Sequence, residues 1–168
     1  MDAHEIVKKL NLEPLRDEGG YFSETYRSGL RIPGGTLAGS QVGDRSLATA
    51  VYYLLTPDTF SAIHRLASDE VYHFYLGDPV EMLQLQPDGS SDTIVLGPNL
   101  LQNMRLQVAV PGRIWQGSRL LPGGEFALMG TTMAPGFDPA DFELGRRGDL
   151  IAQYPDERNL IGSLTRAQ

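Results

Sequence analysis

The chain holds three histidines and no cysteine, so its means of doing chemistry are few and can be traced residue by residue. One run concentrates them: His64-Arg-Leu-Ala-Ser-Asp-Glu70-Val-Tyr-His73-Phe-Tyr-Leu-Gly77. A histidine near the end of one strand and a glutamate opening the next, across a tight turn, would lie nearly opposite in an antiparallel pair and face the same side. If that side is the interior, an imidazole and a carboxylate share one cavity and can exchange protons or ligate a metal ion. A buried, hydrogen-bonded pair with no chemistry has the same sequence. Strand alternation puts Glu70, Tyr72, Phe74 and Leu76 on one face and Val71, His73 and Tyr75 on the other, so His73 packs away from the pair unless a bulge follows Glu70.

Tyr72 is therefore the first candidate for an acid partner to a His64 base, with Tyr26 and Tyr52 as further candidates. Glu70 would hold the imidazole ring and favour its protonated form. That is the logic of a proton-transfer isomerase, in which a base removes a proton and an acid returns one. Arg27, in an aromatic-rich strand with Tyr21 on its face, is a candidate clamp for an anionic group. Arg113 and Arg119 are further candidate clamps but read rather as arginines near strand ends, solvated or paired across a dimer. Trp115, the single tryptophan, reads as core or pocket wall.

The elements that must position these residues are short strands closed by turn signals. Tyr21–Ser28 is aromatic and alternating. Residues 33–44 are glycine-rich and read as a loop. Strands then follow over 47–55, 60–66, 70–76, 80–86, 92–96, 106–110, 115–121 and 125–133, most of them ended by a turn with Pro, Gly or Asp. Such regular short strands predict an all-β sandwich or barrel, and the lack of intervening helices argues against βαβ units. Helices are expected only at the ends. Asp2 and Glu5 form a capping box ahead of a helix over about 3–10. Asp138-Pro139 opens a short turn through Phe142. Residues 155–166 carry Leu160, Ile161 and Leu164 at helical spacing.

The 168 residues suit a single domain over 1–168, with no internal repeat or linker. The absence of cysteine excludes a disulfide framework, a thiolate metal site and a thiol nucleophile, and fits a cytoplasmic setting. No signal peptide or membrane helix is expected. A net charge of −7 argues against a nucleic-acid surface.

The spacing resembles the first cupin motif, G-x5-H-x-H-x3-4-E-x6-G. His64 stands for its first histidine, Leu66 for its second, Glu70 for its glutamate and Gly77 for its closing glycine. The second motif, G-x5-P-x-G-x2-H-x3-N, has an echo in Pro111 through Gln116, with Arg113 at the glycine and Gln116 at the histidine. The segments 18–28, 68–78, 121–124, 134–138 and 142–145 look like one family of mostly uncharacterised cupins. The resemblance implies an all-β double-stranded β-helix, or jelly roll, with short terminal helices. It also implies a homodimer and an architecture similar to sugar-nucleotide epimerases. It places a ligand pocket inside the barrel, for which Tyr26, Arg27, Tyr52, Phe74, Trp115 and Gln116 are the candidate lining residues beside His64, Glu70 and Tyr72. A complete site of this kind offers three histidines and a glutamate. Here His64, Glu70 and Gln116 would hold a divalent transition metal only weakly, so no cofactor is expected. Three functions stay open: a metal-independent isomerase or epimerase using His64 and a tyrosine, a non-catalytic small-molecule binder, and a metal-dependent enzyme such as a dioxygenase.

Overall fold

Every strand predicted from turn spacing is present in the computed structural model, which describes residues 2–36 and 43–166. Part of the loop read over 33–44 falls on 37–42, outside the described residues. In chain order the elements are α1 (Ala3–Lys9), β1 (Glu13–Pro14), β2 (Tyr21–Arg27), β3 (Arg31–Ile32), β4 (Arg45–Ser46), β5 (Thr49–Leu55), β6 (Phe60–Arg65), β7 (Glu70–Gly77) and β8 (Val80–Leu85). They continue with β9 (Ser91–Leu96), β10 (Gln107–Val110), β11 (Trp115–Leu120), β12 (Ala127–Met133), β13 (Glu143–Leu144), α2 (Arg147–Gln153) and α3 (Arg158–Ser163). Among the described residues no helix is long and apolar enough to cross a membrane.

Two antiparallel sheets face each other. One has the order β1-β2-β5-β12-β7-β10 and the other β13-β6-β11-β8-β9. Side-chain alternation divides each strand between two destinations. Tyr53, Leu55, Tyr72 and Phe74 point inward from the first sheet to meet Val80, Met82, Leu96 and Leu120 from the second. The alternate residues point outward and are covered by helices. Leu54 and Leu128 pack under Ile6 of α1. Ile63, Leu83 and Leu85 pack under Leu150, Tyr154, Ile161 and Leu164 of the C-terminal segment. Each such side chain is worth about 1.5–3 kcal/mol when fully buried, which is why strands this apolar on both faces need the helices.

The capping box predicted for α1 is present: Glu5 N–H donates to Asp2 Oδ1 at 2.8 Å and Asp2 N–H to Glu5 Oε2 at 3.0 Å. The sequence reading missed α2, which carries no side-chain cap, and the strands β1, β3, β4 and β13, each only two residues long. The final helix is also shorter than expected, because Pro155–Glu157 forms a 3-10 turn before α3 begins.

The turn ahead of β2 brings the chain over the open end of the barrel. Gly19 and Gly20 adopt φ of +109° and +72°, and a Cβ at Gly19 would collide with the Phe60 carbonyl. Glu18, just before them, is turned inward as a result, and its carbonyl accepts from Ala62 N–H at 2.8 Å. Gly19→Ala should therefore destabilise the fold by about 1–3 kcal/mol or more in denaturant melts. A neutral substitution would contradict this account of the turn.

Candidate functional site

His64, Glu70 and Gln116 do converge, though not as the sequence pattern predicted. His64 was expected across a strand pair from Glu70. Instead β6 and β7 belong to different sheets, and the two residues approach across the sandwich. The Ala67–Asp69 connection is thus a crossover between sheets rather than a hairpin turn. His64 pairs in register with Gln116 of β11, and a shift between Gln116 and Ser118 lets Ser61 and His64, three residues apart, both serve the interior. Glu70 begins β7, between Val110 of β10 and Met133 of β12.

The contacts are specific. Gln116 donates an amide N–H to Glu70 Oε2 at 2.7 Å, joining the two sheets. His64, 1% exposed, has its Nδ1 at 2.9 Å from the Ala62 carbonyl, which requires the proton on Nδ1. Its Nε2 lies 4.0 Å from Glu18 Oε2, while Glu18 Oε1 accepts from Ser61 Oγ at 2.6 Å. Phe142 stacks on the imidazole at 5.1 Å between centroids. Burial pushes the Glu70 carboxyl above its ordinary value. The charge of His64 and the hydrogen bonds from Thr131 and Gln116 oppose that shift, and the charge of Glu18 adds to it. Burial also holds the Tyr72 phenol well above its ordinary value, with the charges of Glu70 and Glu18 acting in the same direction.

These groups adjoin a cavity of about 310 Å³ at the open end of the barrel. Its walls are apolar or aromatic over most of their extent, with Phe22, Tyr53, Tyr72, Phe137 and Phe142 among them. Asp17, Glu18, Glu24 and Glu70 supply its charged groups. Leu66, at the position of the second motif histidine, also lines it.

Of the predicted site residues, Glu70 and Tyr72 line the cavity. His64 and Gln116 are buried and adjoin the lining carboxylates Glu18 and Glu70 through the contacts given above. The other predictions need correction. Tyr26 is 55% exposed. Tyr52 packs outside the first sheet against Tyr75, because its β5 neighbours Val51 and Tyr53 take the inward positions. Phe74 lies in the core between the sheets and outside the cavity wall. Trp115 faces the helices on the outside of the second sheet, with the Arg65 guanidinium 4.4 Å from its ring centroid. Arg27 is at the mouth. A register shift between Glu24 and Tyr26 cancels simple alternation and lets Arg27 bond Glu24 at 2.9 and 2.7 Å. It also donates to the Phe137 carbonyl at 3.2 Å, so it is spent on the protein rather than held ready for an anion. His73 faces away, as parity requires, and contacts Thr132 and Gln107. Arg119 pairs with Glu81.

Sequence reasoning overlooked Asp17, Glu18, Tyr53, Phe137 and Phe142. The Glu18-Gly-Gly turn was the available signal for Glu18. The aromatic pair flanks the short turn predicted from Asp138-Pro139, which is present as a 3-10 turn over Pro139–Asp141 capped by Asp138, and tertiary contacts fix its place: Arg45 makes a bidentate pair with Asp141 at 2.9 Å, and Phe137 N–H donates to Thr49 Oγ1 at 2.9 Å.

The donor set does not fit a transition-metal site. Leu66 offers no donor atom, the Gln116 amide turns its N–H to Glu70, and among the described residues no three His, Asp or Glu side chains group as ligands.

Comparison with known proteins gives a consistent picture. The family model Cupin_5, described as cupin superfamily (DUF985), matches residues 4–145. An uncharacterized protein of Saccharomyces cerevisiae is 30% identical over 132 residues, covering 74% of this chain and 66% of the yeast protein, just under two thirds of its length. The crystal structure of protein SO0799 from Shewanella oneidensis superposes with a TM-score of 0.88 at 31% identity, covering 100% of this chain and 99% of that one. A hypothetical protein from Leishmania major gives 0.88 at 28%, covering 99% and 100%.

The raised Glu70 carboxyl has a consequence for stability. Above the ordinary value of 4.5, the folded chain keeps a proton that the unfolded chain has lost, so Glu70's contribution to stability falls as pH rises toward its folded value. Glu70→Gln can still accept from Gln116 but does not titrate. Wild type should therefore lose stability relative to this variant as pH rises from about 4 through that window, read by denaturant melts at successive pH. Parallel curves would contradict a raised Glu70.

Proposed function

This chain belongs to the Cupin_5 family of the cupin superfamily, and on that premise we propose that its barrel takes up a small organic molecule and that Glu70 exchanges a proton with it. The observation that carries this reading is the position of Glu70. It is a buried carboxyl on the wall of the cavity, raised above its ordinary value by burial and set beside a phenol that stays protonated. Burial that raises a carboxylate's proton affinity makes it a stronger base.

The step is balanced within the protein. Glu70 removes a proton from a carbon acid, the Tyr72 hydroxyl donates a hydrogen bond to the oxygen on which negative charge develops, and Glu70 returns the proton to the adjacent carbon. No co-reactant is needed, so the reaction class is isomerisation; epimerisation would need a second acid to return the proton to the opposite face of the same carbon. The role of base moves here from His64 to Glu70, because Phe142 covers the imidazole and Ala62 holds its Nδ1. His64 is then a positioning residue whose charge biases the protonation of Glu70.

A non-catalytic binding role is the second reading. It is favoured by the Tyr53 hydroxyl, which donates to the Gly19 carbonyl and is thereby spent on structure.

The two separate by isotope exchange. A panel of small ketones, neutral and ammonium-bearing, is incubated with protein in D2O and followed by proton NMR. Wild type is expected to catalyse exchange at one carbon of a bound member. Glu70→Gln should reduce that rate at least about 100-fold, while His64→Gln should retain exchange with a displaced pH profile. Binding without exchange across the panel would leave the non-catalytic role. Exchange untouched by Glu70→Gln would remove Glu70 from the chemistry.

A further inference from the structure

We propose that the molecule taken into this cavity is an organic cation, an ammonium bearing small alkyl groups; this rests on the cavity being the ligand site and adds its charge and shape. Two independent features of the walls converge on that chemistry. The first is aromatic. Phe22 of β2, Tyr53 of β5, Tyr72 of β7 and Phe137 and Phe142 of the covering segment bring five rings to one cavity. Ring faces attract a cation through their quadrupole, and alkylated ammonium ions suit them because their charge is spread over an apolar surface.

The second feature is the polar inventory. Four carboxylates line the cavity, and among the described lining residues there is no lysine, arginine or histidine. Arg27 neutralises Glu24 through both carboxylate oxygens. Asp17 stays exposed toward the mouth, and Glu18 and Glu70 lie further in. The hydroxyl of Tyr53 and the Oγ1 of Thr49 already have backbone partners. Beside Glu70, the Gln116 side-chain oxygen has no hydrogen-bond partner although the residue is only 2% exposed. The bonded amide N–H fixes that oxygen within about 5 Å of the Glu70 carboxylate.

An anion entering here would meet carboxylates and find few donors. A neutral apolar molecule would cover these acids and offer them no partner beyond Ser61 and His64 at Glu18 and Gln116 and Thr131 at Glu70. A compact alkylammonium meets the rings with its alkyl groups and the acids with its charge. The chain's net charge of −7 favours the same sign of ligand at long range.

The test compares three probes of nearly equal shape on the full chain by titration calorimetry: choline, 3,3-dimethylbutan-1-ol and 3,3-dimethylbutanoate. Choline is expected to bind at least about tenfold tighter than the neutral alcohol, with the carboxylate weakest. Glu18→Gln removes a charge and Phe22→Leu removes a ring at similar apolar bulk. Each should shrink choline's advantage several-fold and leave the alcohol nearly unchanged, with unfolding midpoints confirming that both variants fold. An alcohol that binds as tightly as choline would overturn the charge assignment while leaving the cavity as the ligand site. Binding of none of the three would overturn both. A choline advantage untouched by either variant would place the cation elsewhere and overturn the proposal.

Discussion

Burying a carboxylate between two β-sheets is costly, and the interior of this protein is arranged around that cost. An ionised carboxyl removed from water loses several kcal/mol unless hydrogen bonds and opposite charge replace its hydration. For Glu70 the replacement comes from both sheets. Gln116 reaches across from the second sheet to Oε2, Thr131 contributes a hydrogen bond from the adjacent strand of the first, and the charge of His64 acts from the same side as Gln116. The bond between Glu70 and Gln116 is therefore a tie between layers, and it depends on the sheet separation and on the register of β6 with β11.

The same arrangement explains why the outer layers matter to a site they never touch. Ile63 points out beneath Leu150 and Ile161, so the adjacent His64 points in. Trp115 points out, so Gln116 points in. The helices that cover the outer faces thus settle which residues of β6 and β11 face Glu70. At the barrel's open end the bidentate pair of Arg45 with Asp141 holds the segment carrying Phe137 and Phe142 over the cavity. Substitutions on the outside can reach Glu70 and the cavity by loosening either restraint.

Much of the barrel was legible because its cause is local. Turns at Pro57-Asp58, Pro87-Asp-Gly89 and Pro122-Gly-Gly124 break the chain wherever a strand ends, and the capping box of α1 is written in four residues. The parity that turned His73 away from Glu70 is equally local. What stayed hidden was set by partners distant in sequence. The assignment of β6 and β7 to different sheets cannot be read from a short connection, so His64 and Glu70 were right as neighbours and wrong as a cross-strand pair. The shift at Glu24 moved Arg27 to the mouth against the expected alternation. Phe137 and Phe142 carry no periodic signal, since backbone and ion-pair contacts place them. Trp115 shows the limit of residue type as a guide: the large ring reads as core or as pocket wall, and the register places it in the packing beneath the C-terminal helices.

One buried carboxyl on the cavity wall is tuned by its surroundings, and a carbon-13 NMR titration of the glutamate side-chain carboxyls reads that tuning, with Glu70→Gln used to assign the resonance. The Glu70 signal is expected to titrate above the ordinary carboxyl value and to shift when a ligand fills the cavity. A Glu70 that titrates at the ordinary value and ignores every ligand would contradict that tuning.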